Sequence, residues 1–345
     1  MALLEVKNLG VQFPTDDGVV QAVRDVSFSV DHGQVLGIVG ESGSGKSVTS
    51  MAVMGLLPRN ARITGSVRYD GIELLGMHPK LRTSYRGGKI GMIFQDPMTS
   101  LNPVLSVGWQ LCEAVQLHQK MSKKAARARA ISLLDLVGIP QAKTRVDNYP
   151  HEFSGGMRQR VMIAMAMAND PELLIADEPT TALDVTVQAQ ILETLNQIKD
   201  ESGVAIILIT HDLGVVAGMA DRMLVMYAGT VVEDGSVDEI FYEPRMPYTA
   251  GLLGAIPVAG SVGKRLNQIK GSTPSLINMK PGCPFSGRCP IAIEPCRAET
   301  PLLKPTDKFD HLAACHRWPD LVGIDGSALF VDDSMDDTDL EDIEA

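Results

Sequence analysis

Short apolar runs alternate with amphipathic stretches along most of this chain. Residues 4–6 and 26–30 alternate apolar and polar positions, which is typical of half-buried strands. Other runs are apolar nearly throughout and predict strands covered on both faces, at 35–39, 90–94, 173–176, 205–209 and 224–227. Helical periodicity occupies 123–137 and 187–199 between them. The pattern predicts an α/β fold with a mainly parallel central sheet.

The composition changes after residue 256. Nine of the twenty prolines lie between Pro257 and Pro319, together with four of the five cysteines. Eight acidic residues lie among the last fourteen positions without a Lys or Arg, and such a run is typical of a disordered, solvated tail. We predict a large domain at 1–256, a small irregular module stapled by its cysteines at 257–322 and an acidic tail at 323–345.

The bulk composition narrows the functional classes. Hydrophobic residues make up 45% and charged residues 21%, as in ordinary globular proteins. The net charge of -11 argues against a dedicated nucleic-acid binder, which usually has a basic face. No apolar run approaches the roughly 18–20 residues that span a bilayer, and no basic leader begins the chain. We therefore expect a cytoplasmic protein that reaches the membrane only through partners.

A glycine-rich segment follows the predicted strand at 35–39. Gly40-Glu41-Ser42-Gly43-Ser44-Gly45-Lys46-Ser47 fits G-x-x-x-x-G-K-[ST], and helix-compatible sequence follows it. In such a loop the backbone N–H groups at Gly40, Ser42, Gly43, Ser44 and Gly45 point at phosphates. Lys46 would bridge the β- and γ-phosphates, and the Ser47 hydroxyl would ligate Mg²⁺. A chance match of this pattern occurs about once in a hundred chains of this size, so the loop predicts binding of ATP or GTP.

Four polar residues follow predicted strands. Asp177 and Glu178 end the run at 173–176, where Asp177 would face Mg²⁺ and Glu178 would orient or deprotonate a water. Gln95 and His211 follow two other runs, and parallel strands bring such ends to one edge of a sheet. Gln95 could then touch the metal and the water, and His211 the γ-phosphate. The alternative is ordinary surface residues, including two acids that cap a strand in solvent.

Phe153-Ser154-Gly155-Gly156-Met157-Arg158-Gln159-Arg160 lies just before the strand of Asp177. A bare Ser-Gly-Gly is usually a plain helix cap, but together with the other segments it resembles the nucleotide-binding subunits of ABC transporters, over about residues 3–256. The resemblance implies a P-loop NTPase fold with a helical subdomain at about 100–168. It also implies that the nucleotide bound by a second subunit meets four residues in trans: Ser154, Gly155, Gly156 and Asp184. Phe153 and Met157 depart from the usual Leu and Gln of this motif.

Further implications concern adenine and the membrane partners. Phe13 lies where the family stacks an aromatic ring on adenine, although packing at a strand end would explain it equally well. The loop at 96–103 looks like the surface that receives coupling helices of membrane subunits, beside residues 149–152.

Within the family, the stretches at 94–103 and 242–249 and the cysteine module resemble the ATPases of oligopeptide and dipeptide importers most, and nickel importers share much of the pattern. This implies a heterodimer with a second ATPase, two transmembrane permeases and an extracytoplasmic peptide-binding protein, with the chain peripheral on the cytoplasmic face of the membrane. The rival hypotheses are a soluble mechanoprotein of ABC type and a regulatory ATP sensor that does not hydrolyse.

Four cysteines, Cys283, Cys289, Cys296 and Cys315, share the C-terminal module. Four thiolates fit a structural zinc ion or an iron–sulfur cluster, but their spacings are wider than a zinc knuckle, and a module without metal is a third alternative. The family resemblance implies a [4Fe–4S] cluster held by all four. Cys112 stands alone in a helical region and is expected to be a buried apolar residue.

Overall fold

The computed structural model describes residues 2–96, 100–181, 183–256, 269–324 and 329–330. Two compact units divide the chain: one comprises 1–230 with 276–278, and the other comprises 231–275 and the residues from 279 onward. Nearly all of the predicted acidic tail, Ala182, and residues 97–99 of the predicted coupling loop lie outside the described residues. The division at residue 256 remains a prediction.

The first unit contains nine described strands and eight described α-helices. The strands are β1 (Leu4–Thr15), β2 (Gly18–Val30), β3 (Val35–Val39), β4 (Arg62–Tyr69), β5 (Ile72–Glu73), β6 (Ile90–Ile93), β7 (Leu173–Asp177), β8 (Ala205–Ile209) and β9 (Arg222–Tyr227). The helices are α1 (Lys46–Met54), α2 (Pro79–Tyr85), α3 (Val107–His118), α4 (Lys123–Leu136), α5 (Ala142–Arg145), α6 (Gly155–Ala166), α7 (Val185–Ser202) and α8 (Leu213–Met219), with a short 3₁₀ helix at Pro150–Glu152. Among the described residues, no helix has the length and apolar composition to cross a membrane.

A parallel sheet in the order β9-β3-β8-β7-β6 forms the centre of this unit. Every residue of β3, β7 and β8 is buried, which explains why these runs are apolar on both faces. The predicted parallel core sheet is therefore confirmed. Because its strands run the same way, their carboxyl ends meet at one edge, where the loops of the candidate site begin.

An antiparallel sheet and a helical layer complete the unit. The sheet has the order β2-β1-β4-β5, and the pairing of β1 with β2 shifts register between Val6 and Gln12. Buried side chains of α3, α4 and α6, such as Leu111, Leu133 and Val161, share one hydrophobic core with the parallel sheet. These helices fall within the predicted helical subdomain, whose bounds remain a prediction.

The second unit has shorter elements. They are β10 (Thr230–Ser236), α9 (Val237–Tyr242), α10 (Pro247–Gly254), α11 (Glu294–Ala298), β11 (Lys304–Pro305), β12 (Leu312–Ala313) and a 3₁₀ helix at Trp318–Leu321. β12 pairs antiparallel with both β10 and β11. The rings of Tyr248 and Phe285, both fully buried, pack with their centroids 5.3 Å apart.

A network of charged side chains surrounds the buried Arg245 of this unit. The side chain of Arg245 is 1% exposed and donates two hydrogen bonds of 2.9 Å to the carboxylate of Asp307 and one of 2.8 Å to Glu243. The backbone N–H of Arg245 donates to Glu233, whose carboxylate also lies 2.8 Å from Nε2 of the buried His311. The Arg245 guanidinium keeps the pKa of Asp307 well below its usual range. The network joins segments far apart in sequence.

Replacing this arginine should destabilise the second unit. Arg245→Met fills a similar volume but removes the hydrogen bonds to Asp307 and Glu243. Both carboxylates are 36% or more exposed and regain water, so the cost should be about 1.5 kcal/mol. Amide hydrogen exchange of α10, followed by mass spectrometry, should accelerate roughly tenfold. Lys304→Met removes an exposed cation of the same unit and should change stability by less than about 0.5 kcal/mol. Equal exchange rates in both variants would refute a structural role for the network.

Candidate functional site

The glycine-rich segment forms a tight loop between β3 and α1. Gly40 has φ +150°, and a Cβ placed on it would lie 2.2 Å from the carbonyl oxygen of Met226. Gly45 has φ +100°, and its Cβ would lie 2.6 Å from the carbonyl oxygen of Ala22. Both positions therefore require glycine for conformation and for space. Contacts with neighbouring backbone therefore fix the path of the loop.

Between these glycines the loop presents polar groups. Ser42 and Gly43 are exposed, and Gly43 has φ +78°. Ser44 is buried, and its hydroxyl has no hydrogen-bond partner within the described chain. A buried hydroxyl without a partner is costly unless a ligand satisfies it, so the loop fits an anion with several acceptor oxygens.

Lys46 folds back into the loop that precedes it. Its ammonium group donates to the carbonyl oxygens of Gly40, at 2.8 Å, and Glu41, at 3.1 Å, and the residue is 5% exposed. Burial lowers the pKa of Lys46, while the charges of Glu178, Asp177 and Glu41 act in the opposite direction. A cation is therefore held inside the loop where phosphate would bind.

Asp177 ends β7 beside the start of α1. It is 3% exposed, and its Oδ1 accepts a 2.9 Å hydrogen bond from the Ser47 hydroxyl. Burial raises the pKa of Asp177 and Glu178 adds to the shift, whereas the Ser47 hydrogen bond and Lys46 oppose it. A divalent cation would favour the charged carboxylate, and hydroxyl and carboxylate oxygens are ligands that Mg²⁺ prefers. This pair fits Mg²⁺.

The carboxylate of Glu178 lies close to two other predicted residues, Gln95 and His211. Glu178 has φ +49°, and its N–H donates to the carbonyl oxygen of Ile209 on β8, at 2.8 Å. Its Oε2 accepts a 3.0 Å hydrogen bond from Nε2 of Gln95, and Nδ1 of His211 lies 3.7 Å from the same oxygen. The residues predicted at the ends of three different strands therefore lie together.

Sequence reasoning missed a fourth neighbour of this carboxylate. The hydroxyl of Thr181 donates a 2.8 Å hydrogen bond to Oε2 of Glu178. A hydroxyl three residues after an acid at a strand end is a signal that could have been recognised, because side chains of Ser and Thr often bond back across a tight turn.

The predicted trans residues lie at the starts of two helices. Ser154 and Asp184 are exposed N-caps of α6 and α7, and each accepts a hydrogen bond from the backbone N–H three residues on. Gly155 and Gly156 form the first turn of α6, and a Cβ on Gly156 would lie 2.4 Å from Cγ1 of Val187. Gly156 is therefore required for packing of α6 against α7, a role that the sequence did not reveal. The hydrogen bonds of Ser154 and Asp184 are local to their own helices.

Phe13 lies on β1, half-buried, and pairs with Val20 of β2. Val20 is two positions from Ala22, whose carbonyl oxygen lies against Gly45 of the loop. Phe13 therefore lies on a pair of strands that borders the loop. Among the described residues no contact of its ring distinguishes adenine stacking from strand packing, so its role stays a prediction.

The four C-terminal cysteines are all free thiols. Burial raises the pKa of Cys283 to about 11 and that of Cys315 to about 12, with smaller contributions from neighbouring thiols. Burial also raises the pKa of Cys289. The N–H of Cys283 donates to the carbonyl oxygen of Cys296, at 2.7 Å. In the described part of the chain, no group of three or more His, Cys, Asp or Glu side chains is placed to hold a metal ion.

Profiles of known protein families match parts of both units. The profile of the ABC transporter family matches residues 23–181, and that of the oligopeptide/dipeptide transporter C-terminal region matches 232–296. The chain is 55% identical to the oligopeptide transport ATP-binding protein OppD of Salmonella typhimurium over 87% of this chain and 90% of that protein. OppD of Mycobacterium tuberculosis is 53% identical over 95% of this chain, which spans only 54% of that longer relative.

A solved structure supports the same assignment. The chain resembles a dimeric ATP-binding cassette in a post-hydrolysis state with ADP and Pi, with a TM-score of 0.62 and 28% identity over 68% of this chain and 98% of that one. The fold is therefore that of an ABC-type nucleotide-binding cassette. Taken with the matches to OppD, these findings show that the chain belongs to the ABC transporter family, in the branch of the oligopeptide and dipeptide transporters.

Proposed function

We propose that this chain is the ATP-hydrolysing subunit of a membrane ABC importer that takes up di- and oligopeptides delivered by an extracytoplasmic binding protein. The observation that carries the proposal is the meeting of Gln95, His211 and Glu178 beside the buried Ser47–Asp177 pair and the Lys46 loop. The peptide cargo is supported by the relatives, which are named oligopeptide transport ATP-binding proteins. No observation on this chain favours nickel or another solute.

Each residue has a chemical task in this proposal. The loop from Gly40 to Ser47 binds the ATP phosphates through its N–H groups, and Lys46 exchanges its contacts with the Gly40 and Glu41 carbonyls for contacts with phosphate. Ser47, Asp177 and Gln95 would hold Mg²⁺, which supplies positive charge to the leaving phosphates. Glu178 accepts a proton from the attacking water, and His211 contacts the γ-phosphate.

The proposed site is completed by a second subunit. Ser154 and Asp184 present helix N-termini outward, and such termini carry free N–H groups and a positive dipole end that suit a γ-phosphate. We place Ser154, Gly155, Gly156 and Asp184 of this chain against nucleotide held by a different ATPase subunit. The dimeric state of the similar cassette supports a pair of subunits, and the pairing of two different chains remains the finer proposal.

Coupling to the membrane would use a cavity near Gln95. A cavity of about 330 Å³ in the first unit is lined mainly by apolar side chains, including Leu56, Phe94 and Leu117, which are 40%, 39% and 70% exposed. Such a surface fits an apolar helix of a permease on the cytoplasmic face of the membrane. Because Phe94 precedes Gln95, a helix seated there could shift the Gln95 contact with Glu178.

For the cysteine module at 257–322 we propose a [4Fe–4S] cluster held by Cys283, Cys289, Cys296 and Cys315. Support comes from the occurrence of four free thiols in one module and from backbone N–H groups aimed at sulfur, such as that of Arg317, 3.3 Å from Sγ of Cys315. Such hydrogen bonds stabilise cluster sulfurs. The described side chains form no metal-binding group as they stand, so these four thiols would hold a cluster only after moving together and losing their protons.

The hydrolytic role of Glu178 can be tested by Glu178→Gln. The amide cannot accept the water proton, so kcat for ATP should fall at least about 100-fold, while nucleotide affinity is kept. Phosphate release by the assembled complex and ATP binding by equilibrium dialysis measure the two effects. Glu193→Gln, which neutralises an exposed acid of α7, should leave turnover unchanged. Near-normal turnover by Glu178→Gln would reject this role.

The trans role of Ser154 can be tested by Ser154→Arg. The bulky cation should block closure on the partner's nucleotide, so ATP-driven subunit association disappears, whereas ATP affinity of this chain's own loop persists. Ser122→Arg is the matched control, because Ser122 is the exposed N-cap serine of α4 and its loss costs only about 1 kcal/mol of helix stability. If Ser154→Arg associates as the unmodified chain does in light scattering, the composite site is wrong.

If the proposed [4Fe–4S] cluster is present, the protein should be brown and should contain iron. Cys289→Ser should abolish the brown absorbance and the bound iron of protein purified without oxygen, since one ligand of four is lost. Cys112→Ser, which changes a thiol of the helical layer, should retain both. Colourless, iron-free protein before any substitution would exclude the cluster.

A further inference from the structure

The carboxylate of Glu178 is held at one of its two oxygens. Gln95 Nε2 at 3.0 Å and Thr181 Oγ1 at 2.8 Å both donate to Oε2, and His211 Nδ1 lies 3.7 Å from that oxygen. None of these three contacts falls on Oε1. The two oxygens are chemically equivalent in a free side chain, so the surroundings alone make them different.

Thr181 holds Glu178 in two ways. Its N–H donates to the carbonyl oxygen of Glu178, at 3.2 Å, and its hydroxyl donates to Oε2. The first bond closes a turn directly after the left-handed backbone of Glu178, whose φ is +49°. That turn brings a side chain three residues further along the chain back over the carboxylate.

We infer that Thr181 is a positioning residue for ATP hydrolysis, which holds Oε2 together with Gln95 and so leaves Oε1 as the oxygen that accepts the proton of the attacking water. The inference rests on the proposed function. It adds a residue that acts through Glu178 and touches neither nucleotide nor metal.

The chemical step then has a defined geometry. The water oxygen forms a bond to the γ-phosphorus, its proton passes to Oε1, and the bond between the γ-phosphorus and the β–γ bridging oxygen breaks, with its electrons leaving on ADP. The last torsion of a glutamate is broad, so an unheld carboxylate would rotate and exchange its oxygens. Two donors on Oε2 suppress that rotation and keep Oε1 directed at the water.

The hydroxyl can be removed with little change of shape. Thr181→Val should lower kcat of the assembled complex for ATP about tenfold, the worth of one hydrogen bond to a charged group. KM for ATP should change less than about twofold, because the nucleotide itself loses no contact. Thr181→Ser keeps the hydroxyl and should restore kcat to within about threefold of the unmodified complex.

An unchanged KM together with rescue of kcat by Thr181→Ser separates positioning from general damage, because a merely structural defect would not depend on the hydroxyl. Thr194→Val is the matched control: it removes a buried hydroxyl of α7 that donates to the carbonyl oxygen of Gln190, at 2.8 Å. It should leave kcat and KM unchanged.

The outcomes are distinct. Unchanged kcat in Thr181→Val would overturn the inference while leaving hydrolysis by Glu178 intact. A loss of kcat that Thr181→Ser does not restore would also overturn it, because the hydroxyl would not be the cause. An unmodified assembled complex that releases no phosphate would refute the proposed function itself.

Discussion

Buried charge at the carboxyl edge of the parallel sheet is the constraint on which the candidate site depends. Burial lowers the pKa of Lys46 and raises that of Asp177, so both groups are pushed towards their neutral forms. The protein counters this with mutual attraction, with loop carbonyls for Lys46 and with the Ser47 hydroxyl for Asp177. A ligand that carries phosphate oxygens and a divalent cation offsets both penalties at once. Bound MgATP would therefore stabilise this edge, as the proposed function requires.

The central sheet and most residues of this edge could be predicted from the sequence for a simple physical reason. Strands buried on both faces must be continuously apolar, and parallel strands must bring their ends together, so Gln95, Asp177 and His211 could be placed near one another. Sequence reasoning did not reach Thr181 or the packing role of Gly156. Both depend on local backbone geometry that no periodicity encodes: the left-handed conformation of Glu178, and the close approach of α6 to Val187.

The second unit shows a different limit. The change in composition after residue 256 marks where regular structure becomes sparse, but the compact unit begins at Val231, inside sequence that still alternates strands and helices. Within this unit Arg245 pairs with Asp307, 62 residues apart, and Glu233 pairs with His311. The positions of charged residues along a sequence do not indicate which of them will pair in the folded protein. The cysteines stand out in the sequence because they are rare. The arginine that becomes buried in this unit does not.

The departures of Phe153 and Met157 from the family motif can be understood from packing. Phe153 is 3% exposed and belongs to the core of the helical layer, and the half-buried Met157 packs against that core. The exposed Ser154 cap and the first N–H groups of α6 are formed in the structure of the single chain. Because this half of the proposed composite site is already formed, association needs little ordering of the helix end. The free energy of closure can then come mainly from the nucleotide charge that the two subunits share.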